Sequence, residues 1–131
     1  MSGLTTQDLE IILHFGLHIA RIDGEIDPFE KKILGQFSDA LKLTPEDRNK
    51  LLAQPFSLAD GLKQLGSAHS RALLIKTLCA VAHSDGETHP KEVDFISKVI
   101  EKMGQQIFIL PQSEWGSYEG EVATDLKAFQ D

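Results

Sequence analysis

The sequence predicts an all-α fold, and three observations carry that prediction. Apolar residues recur at helical spacing in stretch after stretch. No segment before residue 104 alternates apolar and polar residues over a convincing length. Proline- and glycine-based starts and stops cut the chain into pieces of helix length. The expected architecture is a compact bundle of about six to seven helices, one domain over residues 1–131.

Each element follows from its own pattern. Ile11, Ile12, Phe15, Ile19 and Ile22 make an amphipathic helix over about residues 6 to 22, capped by Thr5 or Thr6. Gly24 is placed to end it in the left-handed conformation. Asp27 then reads as an N-cap, Pro28 as the first helical residue and Glu30 as the far end of a capping box, with Phe29, Ile33, Leu34, Phe37 and Leu41 as the buried stripe. Thr44-Pro45-Glu46-Asp47 opens a third helix to about Gln54, where Pro55 stops it. Ser57 to Asp60 starts a short fourth, and Gly66 breaks the chain again. Ser70 to about His83 forms a long helix on Leu73, Leu74, Leu78 and Val81. His89-Pro90 begins the next, lined by Val93, Phe95, Ile96, Val99, Ile100 and Met103 up to Gly104. Residues 105–131 carry weaker signals: Ile107 to Leu110 suits an extended piece or a helix end. Val122, Leu126 and Phe129 suit a last short helix on the core.

Composition narrows the possible partners. Thirteen basic against twenty acidic residues leave a net charge of -7, a field that repels phosphate backbones and anionic lipid. Nucleic acid and direct membrane insertion are therefore not expected. The run from Leu9 to Ala20 is interrupted by Glu10, His14 and His18, and falls short of the roughly 20 apolar residues of a span. Cys79 is the single cysteine and sits in an apolar run, which suits a reduced, cytoplasmic setting. No signal peptide is visible at the N-terminus.

The main organising feature is a repeat. Residues 23–30 read DGEIDPFE and residues 85–92 read DGETHPKE, 62 positions apart. Flanking apolar positions stay in phase: Ile11 with Leu73, Ile12 with Leu74, Ile33 with Phe95. The pattern predicts a duplicated helix-turn-helix, halves about 6–42 and 68–104, related by a pseudo-twofold axis. Capping accounts for Pro28, Glu30, Pro90 and Glu92. It does not account for Asp23 and Asp85, which stand at helix C-termini where the dipole disfavours a carboxylate. Two carboxylates about 5 Å apart repel by roughly 3 kcal/mol at an effective dielectric of 20, which a bound cation or a basic partner would relieve. Oxygen ligands on short turns suit a hard ion such as Ca²⁺ or Mg²⁺. The EF-hand reading fails, because its first two ligand positions would be Ile19 and Arg21, or Val81 and His83.

Paired Asp-Gly-x-x-x-x-x-Glu turns after Ile19-Ala20-Arg21-Ile22 and Val81-Ala82-His83-Ser84 resemble those of the tellurite-resistance TerB family, over about residues 5 to 104. The resemblance implies a helical bundle with an acidic, cation-binding surface built from both turns, and a stress or metal-linked role rather than catalysis. Carried over, Asp23, Asp85, Glu30 and Glu92 would be the principal ligands, with Glu25 and Glu87 as supporting charges. The ion, Ca, Mg, Mn or Zn, is not specified. Thr88-His89 stands where the first turn has Ile26-Asp27, which makes the two halves unequal. The alternative is a metal-independent module whose acidic face binds a basic partner protein.

Other candidates carry less. His14 and His18 have the spacing of a zinc-binding helix, yet both flank the apolar stripe, and the second copy has Lys76 and Ala80 there. His83, Asp85 and His89 could take a transition ion. No phosphate loop, nucleophile elbow or Ser/His/Asp arrangement is present, so catalysis is not expected.

Overall fold

Thr5 starts the first helix through a reciprocal cap. Its hydroxyl accepts the Asp8 N–H at 3.0 Å, and the Asp8 carboxylate accepts the Thr5 N–H at 3.1 Å. From there α1 runs Thr6–Ile22. The computed structural model describes residues 4–22, 24, 28–83, 89–104 and 109–130, and of Glu30 the backbone alone. Within these residues the chain forms seven α-helices and no strand, so the fold is all-α as the sequence predicts.

The second helix corrects the sequence reading. Pro28–Glu30 forms a single 3-10 turn, Lys31 is extended (φ -66°, ψ 131°), and α2 spans Lys32–Ala40 without a side-chain cap. The extended Lys31 separates the turn from the helix, so Glu30 does not occupy the third position of a regular first turn. Phe29 reaches the core edge at 9% exposure, with the Arg48 guanidinium 5.3 Å over its ring. The predicted N-cap Asp27 lies outside the described residues.

The third and fourth helices keep to the predicted grammar. Thr44 and Asp47 exchange side-chain and backbone hydrogen bonds at 3.2 and 3.0 Å to open α3, Pro45–Ala53. Ser57 accepts the Asp60 N–H to open α4, Leu58–Gln64. Neither helix has a fully buried residue; both lean on α1 with half-buried faces.

The core is centred on α5, Ala68–His83. Leu73, Leu74, Ile75, Thr77, Leu78, Cys79, Ala80, Val81 and Ala82 are all buried, which covers every face of the helix. Its most extensive partner is α1. At Gly16 a Cβ would lie 2.6 Å from Leu34 Cδ2, so the absent side chain lets α2 close on α1. Helix α6, Pro90–Met103, ends at Gly104 as predicted, and Gly104 takes the left-handed region (φ 67°).

The C-terminal segment is a larger part of the core than its sequence suggests. A 3-10 helix, Gln112–Ser117, leads directly into α7, Tyr118–Gln130. Trp115, Tyr118, Val122 and Leu126 are buried against α5 and α2. The irregular residue Leu110 locks this segment: its N–H donates to the Tyr118 hydroxyl at 2.9 Å, and its carbonyl accepts the Trp115 Nε1–H at 2.7 Å. Outside the two repeated stretches, α4 packs against α1 and α6, and α7 against α5 and α2. Equivalence of the halves does not follow, since α2 and α6 start differently and α4 buries far less than α7. Among the described residues, no helix is long and apolar enough to cross a membrane.

Candidate functional site

The first turn begins where α1 ends. The Gly24 N–H donates to the Arg21 carbonyl at 2.9 Å, and Gly24 has φ 83° with an exposed surface. An L side chain would be strained there, which is why glycine serves. Asp23 and Glu25 lie outside the described residues, as does the Glu30 side chain.

Asp85 and Glu87 of the second turn also lie outside the described residues, but the helix start that follows is defined. His89 is extended (φ -72°, ψ 139°) and Pro90 is the first helical residue of α6. The His89 Nδ1 accepts the Lys91 N–H at 3.1 Å, and Glu92 Oε1 accepts the His89 N–H at 3.0 Å. Glu92 is only 1% exposed, an unusual position for a carboxylate. The helix N-terminus favours its charge, and the His89 N–H fixes its orientation. This is the capping box that the sequence assigns to Glu92.

Of the six predicted ligands, Glu92 is therefore the one whose side chain can be placed. Among the described residues there is no group of three or more His, Cys, Asp or Glu able to hold a metal. His83, at the end of α5, sits beside Gly116, where a Cβ would meet its ring at 3.2 Å. His89 commits one ring nitrogen to the helix start.

The histidine pair of α1 has a different setting. His18 stacks on Phe56 with centroids 4.2 Å apart, and His14 meets the same ring edge-on at 5.5 Å. Phe15 and Phe95 complete the cluster at 4.9 and 6.0 Å from Phe56. Burial is the first cause that pushes both imidazoles below their ordinary value. For His14 a hydrogen bond to the Gln54 backbone works in the opposite direction, and the Arg21 charge adds to the lowering. For His18, His14 and then Arg21 add to it. Their polar face also ties down the end of α3, since Arg21 donates to the Leu52 carbonyl at 2.7 Å. The sequence placed these histidines at the edge of the apolar stripe but did not identify Phe56, which stands alone in a Pro55-Phe56-Ser57 connection.

The family model described as Tellurite resistance protein TerB matches residues 54–107. The matched stretch contains α4, α5, the second acidic turn and α6, so it includes Glu92 and stops short of the first turn. It agrees with the family that the paired turns resemble. No curated protein and no solved structure matches the chain.

Proposed function

We propose that this chain, a module of the tellurite-resistance TerB type over its matched stretch, is a non-enzymatic protein that binds a divalent cation through the carboxylates of its two turns. The cation sets the state of a surface used for protein interaction, in the cytoplasm. Asp23, Glu25, Glu30, Asp85, Glu87 and Glu92 supply the oxygens. Ca²⁺, Mg²⁺ and Mn²⁺ suit an all-carboxylate set, and Zn²⁺ would draw on His83 or His89.

The observation that carries this reading is Glu92. It is the last acid of the repeated motif, it lies within the family match, and it is buried at 1% exposure while the chain carries many exposed acids. Burying a carboxylate is costly unless hydrogen bonds or a positive charge compensate it.

The test is calorimetric and thermal-shift titration with Ca²⁺, Mg²⁺, Mn²⁺ and Zn²⁺ on wild type, Asp23→Asn/Asp85→Asn and Glu92→Gln. At free ion near 100 Kd, linkage gives about 2.7 kcal/mol of stabilisation. Glutamine keeps the carbonyl oxygen that accepts the His89 N–H, so Glu92→Gln spares the cap while removing the charge. An ion-dependent shift in wild type that both variants lose supports the reading. No shift with any ion would leave Glu92 as a capping residue and the turns as an acidic face for a basic partner.

A further inference from the structure

A trough opens between α1 and the segment from Leu51 to Gln64, with a cavity of about 340 Å³. Its floor carries Ile11, Leu51 and Phe56, half-buried over the fully buried Phe15, and Gln7, His14, Gln54 and Gln64 add polar groups to the lining. Glu10 and Asp60 stand exposed on its rim, and among the described residues lining it there is no Lys or Arg. The trough continues past Glu10, Leu51 and Gln54 into a second depression of about 310 Å³, where Leu41, Leu43, Asp47 and Lys50 are added.

The walls are tied to each other at several points. Gln7 Nε2 donates to Gln64 Oε1 at 2.9 Å across one end. Arg21 holds the Leu52 carbonyl, and Gly61 lies so near Phe15 that a Cβ would approach its ring to 2.4 Å. A preformed site avoids much of the ordering cost of association.

The chemistry selects the occupant. Three carboxylates against one ammonium, in a chain of net charge -7, repel nucleic acid and anionic lipid and attract cations. The apolar side chains of the floor ask for aliphatic or aromatic anchors. The two consecutive depressions suit an elongated chain with two anchors better than a compact small molecule. We propose that this trough docks a basic segment of a partner protein, with apolar side chains over Ile11–Phe56 and over Leu41–Leu43, and Lys or Arg beside Glu10 and Asp60. The assignment uses none of the turn carboxylates and stands independently of the cation reading.

The test uses the full chain in EDTA, so that cation binding plays no part. The probe is a fluorescein-labelled amphipathic Leu/Lys peptide, with a Leu→Ser and a Lys→Glu version as controls. Expected are saturable binding of the Leu/Lys peptide and amide shift changes confined to Ile11, His14, Leu41, Leu43, Leu51, Phe56 and Gly61. Affinity should fall about tenfold in Glu10→Gln/Asp60→Asn and stay within about twofold in Glu101→Gln/Glu114→Gln, which removes the same charge elsewhere. Equal losses in the two variants, equal binding of the Leu→Ser peptide, shifts mapping to another face, or no binding would each overturn it. The amide map is read on wild type and does not depend on the variants folding.

Discussion

The His18 imidazole lies nearly flat on the Phe56 ring, with planes 12° apart and centroids 4.2 Å apart. Both it and the edge-on His14 are desolvated and resist protonation in the folded chain, while in the unfolded chain they titrate near the ordinary value of 6.5. Below that value the unfolded chain takes up more protons, so stability falls with pH. The contribution is complete above about pH 6.5 and is lost as pH drops toward the lowered folded values. Thermal midpoints measured between pH 7.5 and 5 should decline for wild type and flatten in His14→Phe/His18→Phe. An unchanged slope in that variant would assign the acid sensitivity to other groups.

Gly61 is held against the edge of the Phe15 ring. A methyl group there would meet Cε1 at 2.4 Å, and the ring cannot swing away easily because Phe56 abuts it edge-on at 4.9 Å. Alanine gains about 1 kcal/mol of helix propensity over glycine, but overpacking costs about 1–3 kcal/mol. Gly61→Ala is therefore expected to lower stability in urea unfolding. A more stable variant would show that the α1–α4 contact is loose.

Helix α7 should behave as core. Leu126→Ala empties a site that is 2% exposed and should cost about 2–5 kcal/mol. Trp115→Phe should cost less, through its lost hydrogen bond to the Leu110 carbonyl and its smaller volume. Denaturant melts of both variants check this; a near-neutral Leu126→Ala would mean that α7 is only loosely attached.

Cys79 is fully buried in α5, and burial pushes its thiol up to about 12. It should react with a thiol reagent at neutral pH only as fast as the chain unfolds. Rapid labelling of the native protein would contradict the central position of α5.

Much of the fold was legible because helix ends are written in local chemistry. Thr44 with Asp47, Ser57, Gly24 and Gly104 act where the spacing placed them. The start of α2 was not legible, because the reading from Pro28 to Glu30 is locally sound and only the extended Lys31 breaks it. The weight of α7 was also hidden: Trp115 and Tyr118 lie in a turn-rich stretch whose helical period is short, and their burial depends on α5 and α2, distant in sequence. At the candidate site, the capping role of Glu92 was legible from the repeat, but its burial was not. Phe56 carried no periodic signal, so the aromatic cluster over α1 emerges only when α1, the Phe56 connection and α6 meet.

The place of α7 bears on how the chain is made. Helices α1 through α6 leave the ribosome before it, and until Tyr118 to Leu126 follow, α5 and α2 present an uncovered apolar surface. Such a nascent chain is open to aggregation and to holding chaperones for the time needed to synthesise the last helix, on the order of seconds at typical rates of about 5–20 residues per second. A premature stop between Gly104 and Tyr118 would make that exposed condition permanent, even though both acidic turns had been translated in full.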